Sequence, residues 1–248
     1  MNYRECAEWL SNHDNILLLT HIRPDGDTLG SASALCSALR RCGKKAALYK
    51  NPDITPKYMK YIEQYVDANF AYDCVVAVDV AEKHMFPMGF TGEADACIDH
   101  HPTNSHYATE LLLHPEKASC GEAVLEVIKE LCGNVTPEEA SLLYMAVSTD
   151  CGCFRYANVT AETFAAASEL ASYGASVQAL NFDLFRQVSR ARIVLEGEIC
   201  SFMCAPYSML WSSSKVSSGV FLSFRLLPSS RRSQPAADLR PFLNSFSF

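Results

Sequence analysis

The stretch NILLLTHIRPDGDTLGSASALCSALRRCG, residues 15–43, decides the fold class. Its opening residues, 15–21, form an apolar run that ends in polar groups, as a short buried strand does. From Thr28 the pattern is helical, and Gly43 supplies the stop. Between the two, Pro24 stiffens a turn and Gly26 lets it close tightly, so Asp25 and Asp27 can face one crevice beside His21. The small residues from Leu29 to Ala34 could offer backbone N–H groups to a phosphate, but close helix packing explains them equally well.

Outward from this unit, strand-like runs fall at 45–50, 73–79, 94–99 and 108–113, with a helical segment at 56–65. Helices are expected at 119–132, 137–149, 160–173 and 176–186, and Thr136-Pro137-Glu138-Glu139 carries a helix start. The expected fold is α/β: a parallel sheet flanked by helices, then a helical subregion. A connector helix is expected within 187–203 and an irregular tail over 204–248.

The chain has 248 residues, 49% of them hydrophobic, enough to bury a substantial core. A formal charge of −7 argues against a surface that coats long duplex nucleic acid, while leaving room for a local pocket for a short phosphorylated ligand. No apolar stretch is long enough to span a membrane, and the charged N-terminus is unlike a signal peptide, so a cytoplasmic protein without a membrane partner is expected. The 11 cysteines are scattered without paired CxxC motifs and read as small core residues; this includes Cys151 and Cys153 of CGC, whose spacing suits zinc poorly.

The last 48 residues break this pattern. They hold 13 serines and five basic residues against a single acid, Asp238. Such a segment reads as a basic disordered arm, as a stretch without a fold of its own, or as a translation out of frame. The last reading accounts best for the abrupt change in composition.

Four polar clusters fall at or just past the ends of expected elements: His21, Asp25 and Asp27; Asp79; Asp99, His100 and His101; and Asp150. In open α/β sheets ligands sit beyond the carboxyl ends of strands, which would bring the clusters together. Their nitrogen and oxygen donors suit Mn²⁺, or Mg²⁺, better than a thiolate-seeking metal. They exceed the needs of one ion; two ions roughly 3.5–4 Å apart, sharing a carboxylate, would use them all and activate water for attack on phosphorus. Singly, a strand-end aspartate is more often a cap and a lone histidine a satisfied polar group, so the joint pattern carries the reading. Arg155 and Tyr156 are candidate contacts for a substrate phosphate and base, whereas His84, His106 and His114 read as solvated.

HIRPDGDTLGSASAL, Asp79 within VAVDVAEKH, IDHHPTN and STDCGCFRY resemble, in order, the four motifs of the DHH phosphoesterase family. Within it the chain is most similar to the bacterial oligoribonuclease (nanoRNase) and 3′-phosphoadenosine-5′-phosphate phosphatase group, over residues 1–200. The resemblance implies a catalytic domain over 1–186 with a centre of two Mn²⁺ ions. His21 and Asp25 would hold one ion, Asp27, His100 and Asp150 the other, and Asp79 would bridge them. Asp99 would orient a neighbouring imidazole, and His101 would lie near the scissile phosphate. The family pattern assigns the metal to His100 rather than His101; spacing alone does not decide between them.

The implied reaction is hydrolysis of short oligoribonucleotides or of small nucleotides such as adenosine 3′,5′-bisphosphate; the chain could form a homodimer. Cyclic or linear dinucleotides are an alternative substrate, and the RPDGD form of the first motif disfavours inorganic pyrophosphate. A metal- and nucleotide-binding module with impaired catalysis is the alternative of another class. Two departures matter. DCGC differs from the commoner threonine-bearing motif, which touches only the neighbours of Asp150. No Gly-Gly-Gly-His-like segment follows residue 200, so the substrate-gripping second domain of the group is expected to be missing, with its binding energy and exclusion of water.

Overall fold

Ile16–Leu19 is buried at every position, the burial expected of a strand covered on both faces, and it is the first strand, β1, of a five-stranded sheet. The computed structural model describes residues 1–203; the expected tail, 204–248, lies outside the described residues. Residues Met1–Gln187 pack as one unit, and Val188 begins another.

Helix α1 (Tyr3–Ser11) precedes β1, and α2 (Gly26–Arg41) follows it. Then come β2 (Ala46–Leu48), α3 (Pro56–Ile62), β3 (Cys74–Val78), β4 (Ala96–Asp99) and β5 (Glu110–Leu113). Four helices complete the unit: α4 (Cys120–Cys132), α5 (Pro137–Asp150), α6 (Ala161–Ser172) and α7 (Val177–Asn181). All strands are parallel, in the order β2-β1-β3-β4-β5. The strand sequence reverses direction between β1 and β3, and that switch point is where an open α/β sheet leaves a crevice at the strands' carboxyl ends.

Strand alternation sorts the core into two layers. Ile16, Leu18, Val76, Val78 and Ile98 join the side chains of the helices in the larger cluster. Leu17, Leu19, Val75, Ala77 and Cys97 face the other side, where Tyr49, Phe86, Phe90 and Tyr107 from connecting segments close over them. Phe86 and Phe90 meet edge to face, as do Phe86 and Tyr107.

Helices α2 and α5 approach very closely because glycine permits it. A Cβ on Gly30 would lie 2.4 Å from the Leu142 carbonyl oxygen, and one on Gly26 would lie 2.4 Å from Thr149 Oγ1. The small residues of α2 therefore serve packing. This contact matters for the site, since α2 carries Asp27 in its first turn and α5 ends on Asp150.

Several expected boundaries shift. Helix α2 begins at Gly26, two residues before the pattern suggested, because the Asp25 carboxylate caps it. The run 176–186 divides into α7 and a π-helical turn over Phe182–Arg186, and 56–65 ends in a 3₁₀ turn at Glu63–Tyr65. Among the described residues six free cysteines are buried, including Cys151, in keeping with core use, but Cys42 and Cys132 come together at the ends of α2 and α4, their Cα atoms 6.5 Å apart. His114 is not simply solvated: it stacks on Tyr3 at 4.4 Å and pairs with Glu116. In the second unit, α8 (Arg190–Met203) bears exposed Ile193, Val194, Leu195 and Ile199.

Candidate metal centre

Each predicted cluster reaches the switch point from its own element. β1 ends at Leu19, and the chain then turns through His21 and Arg23, the latter in the left-handed region at φ +52°. Buried Asn51 pins this turn: its side-chain amide donates to Thr20 Oγ1 (3.1 Å) and to the His21 carbonyl (2.9 Å). Asp25 then caps α2, its Oδ1 accepting from the N–H groups of Asp27 and Thr28. Asp79 follows β3 directly and is also left-handed, at φ +60°, a conformation that aspartate tolerates better than most residues.

The side chains converge on Asp79. Its Oδ2 lies 3.9 Å from His21 Nε2, and its Oδ1 lies 3.5 Å from His100 Nε2. His21 Nε2 is also 3.7 Å from Asp25 Oδ1. His100 Nε2 is 3.6 Å from Asp27 Oδ2 and 3.7 Å from Asp150 Oδ2. These separations are long for hydrogen bonds and right for donors around a shared cation. Two groups of donors, His21–Asp25–Asp79 and Asp27–His100–Asp150, each converge within 4.8 Å; Asp79, His100 and His101 form a third.

Hydrogen bonding orients the imidazoles. His21 Nδ1 contacts the Ile22 carbonyl at 2.8 Å and His100 Nδ1 contacts the Lys117 carbonyl at 3.1 Å, so in both rings the proton belongs on Nδ1 and the Nε2 lone pair faces the carboxylates. His101 is arranged in the opposite sense: its Nδ1 meets Asp99 Oδ1 at 2.8 Å. Asp99, fully buried, also accepts from the N–H of His100 and from the Asn104 amide, the latter at 2.6 Å.

The electrostatics call for cations. Among the described residues, the ion-pair partners of Asp25, Asp27, Asp79, Asp99 and Asp150 are all histidines. Burial, then the neighbouring Asp27 and Asp25, push the Asp79 carboxyl well above the usual carboxylate range. Burial, Asp150 and Asp25 do the same to Asp27, although the Cys120 and Gly121 amides at the start of α4 donate to it at 2.7 and 3.0 Å. Asp150 sits in the last turn of α5, at the negative end of the helix dipole. Asp99 differs: burial works against its charge, but hydrogen bonds from His101 and Asn104 outweigh it and hold the carboxyl low.

A decisive test of fit is Asp79 Oδ1, a buried carboxylate oxygen with no hydrogen-bond partner. A buried charge of this kind is costly unless paired. A hard divalent ion between it and the His100 Nε2 lone pair would satisfy it, and the nitrogen and oxygen donors suit Mn²⁺ or Mg²⁺ chemistry. Among the described residues no thiol belongs to these donor groups; Cys151 Sγ is buried and accepts from the Phe154 N–H.

Other expected residues fall outside the cluster. Arg155 is exposed, its Nε tied to the Gly152 carbonyl at 2.7 Å, and the Tyr156 ring lies against Gly152. Arg155 belongs to none of the three donor groups. The sequence reading passed over Asn51, Asn104, the Lys117 carbonyl and the α4 amides. Only Asn104 had a local signal, as the polar end of the PTN turn after His101.

Residues 15–147 match the DHH family, N-terminal domain, and the chain belongs to the DHH family. It is 33% identical over 194 residues to the bifunctional oligoribonuclease and PAP phosphatase NrnA of Thermus thermophilus, covering 75% of this chain and 58% of that protein. It is 25% identical over 199 residues to the protein of the same name from Bacillus subtilis, covering 76% of this chain and 61% of that one. The chain thus spans less than two thirds of the length of these relatives. An exopolyphosphatase-related protein from Bacteroides fragilis shares the fold, with a TM-score of 0.71 and 22% identity over 80% of this chain and 64% of the other. Among the described residues, no helix is long and apolar enough to cross a membrane.

Proposed function

We propose that the chain is a two-metal phosphoesterase acting on short oligoribonucleotides or small nucleotides such as adenosine 3′,5′-bisphosphate, in the cytoplasm. The observation that carries the proposal is Asp79, whose two oxygens face His21 Nε2 and His100 Nε2 separately while the buried Oδ1 has no hydrogen-bond partner. His21 and Asp25 would hold one ion, Asp27, His100 and Asp150 the other, and Asp79 both. Mn²⁺ is the proposed metal. When bound, the ions supply Lewis-acid activation and neutralise charge developing on the phosphoryl oxygens.

The remaining roles belong to the chain's own side chains and backbone amides. Cys120 and Gly121 hold Asp27 through their N–H groups, and Asp25 is fixed by capping α2, so both carboxylates are preorganised. His101, tethered to Asp99 through Nδ1, leaves Nε2 for the substrate side. The names of the relatives support the substrate class, and the chain's shorter span makes the strength of substrate binding an experimental matter.

The test is a panel of substrates with the purified chain and Mn²⁺: a diribonucleotide, adenosine 3′,5′-bisphosphate and a cyclic dinucleotide. Hydrolysis of either of the first two supports the proposal. Preferred hydrolysis of the third redirects the substrate assignment, and tight Mn²⁺ binding without turnover on any of them favours a binding module.

A further inference from the structure

Asp99 has two oxygens and two tasks. Oδ1 accepts from the N–H groups of His100 (2.8 Å) and His101 (3.3 Å) and from His101 Nδ1 (2.8 Å). Oδ2 is held by the Asn104 amide at 2.6 Å. Asn104 is itself 7% exposed, and its Oδ1 accepts from the His106 N–H at 2.8 Å, where the chain is left-handed at φ +53°. Both ends of the Asn104 side chain are therefore engaged.

The orientation of Asp99 decides between two fates for His101. Its Nδ1 lies 3.5 Å from Asp79 Oδ1 and 2.8 Å from Asp99 Oδ1. Donating to Asp99, Nδ1 keeps its proton and stays out of the ligand set, which leaves Nε2 outside that contact on a ring 38% exposed. Released, the same nitrogen could join Asp79 and His100 around an ion, as their convergence shows.

We propose that Asn104 is a positioning residue that locks Asp99, keeps His101 off the metals and aims His101 Nε2 at the leaving oxygen of the substrate. This rests on the phosphoesterase reading above. In the step served, a water oxygen forms a bond to phosphorus and the bond from phosphorus to the leaving ribose oxygen breaks. The His101 ring, protonated on both nitrogens, passes its Nε2 proton to that oxygen and regains one from the water consumed, while Nδ1 keeps its own toward Asp99. An aryl leaving group, stable as its anion, has little need of that proton.

Two variants separate this role from turn stability. Asn104→Ser keeps a small polar group beside the His106 N–H but is too short to reach Asp99; Asn104→Ala removes both contacts. The first readout needs no turnover: long-range ¹⁵N correlation of the His101 ring in the Mn²⁺-free protein should show Nδ1 protonated in wild type, with that signature lost in Asn104→Ser and, where it folds, Asn104→Ala. The second compares substrates. On adenosine 3′,5′-bisphosphate kcat should fall roughly 10- to 100-fold with KM little changed, while p-nitrophenyl phosphate hydrolysis changes by less than about fivefold. An unaltered His101 signature in Asn104→Ser overturns the proposal, as do equal losses on the two substrates. A wild type that shows the ring signature but hydrolyses neither compound fails the phosphoesterase reading alone.

Discussion

At Asp79 a left-handed backbone, a buried carboxylate and an unpartnered oxygen coincide. Strain and an unsatisfied charge in one residue are costs that a bound cation offsets. Asp79→Asn should therefore abolish nearly all Mn²⁺-dependent hydrolysis while making the metal-free protein more stable, by about 1 kcal/mol or more, because the buried charge is gone. Urea denaturation in chelator measures the second effect, and a loss of stability would contradict it. At this scale the sequence was legible only in part. The spacing of the DHH run did not divide the roles of its two histidines; only the family resemblance assigned the metal to His100. That division depends on the Lys117 carbonyl, 17 residues beyond His100, and on the Asn104 amide, both reached only through folding.

Helix α2 shows how an element positions chemistry. Its start is fixed by Asp25 and its flank by the glycine contact with α5. Gly30→Ala would drive a Cβ to 2.4 Å from backbone, so it should cost about 1–3 kcal/mol. It should also weaken metal binding, because Asp27 and Asp150 ride on the two helices it separates. Thr136→Ala, which removes the capping box at the far end of α5, should cost about 1 kcal/mol and leave metal affinity unchanged. Thermal denaturation with and without Mn²⁺ distinguishes the two variants. Strand and helix periods made most elements legible, and Thr136-Pro137 marked α5. Helix α1 went unread although Asn2 and Glu5 form a capping box, because Tyr3–Ser11 is short and its charges drew a reading about targeting. The start of α2 was placed late because Asp25 looked like a turn residue only.

Across the whole molecule, acidic ligands couple stability to pH and metal. Burial and mutual repulsion raise Asp27 and Asp79 above their unfolded values, so the metal-free native state binds more protons than the unfolded chain. Its stability must then fall as pH rises from about 4, the usual carboxylate value, toward the raised ones. Metal replaces those protons, so the rise in Tm on adding Mn²⁺ should be larger at neutral than at mildly acidic pH. A metal-induced shift independent of pH would contradict this. The parallel order of the sheet was legible from alternating elements, but the aromatic layer that closes its second face was not, since Phe86, Phe90 and Tyr107 come from irregular segments. The most direct test of the central claim is an Mn²⁺ titration followed by electron paramagnetic resonance. Two ions per chain with a spin-coupled spectrum, reduced to uncoupled ions in Asp79→Asn, is the predicted result; a single ion, or two magnetically independent ions in the wild type, would contradict it.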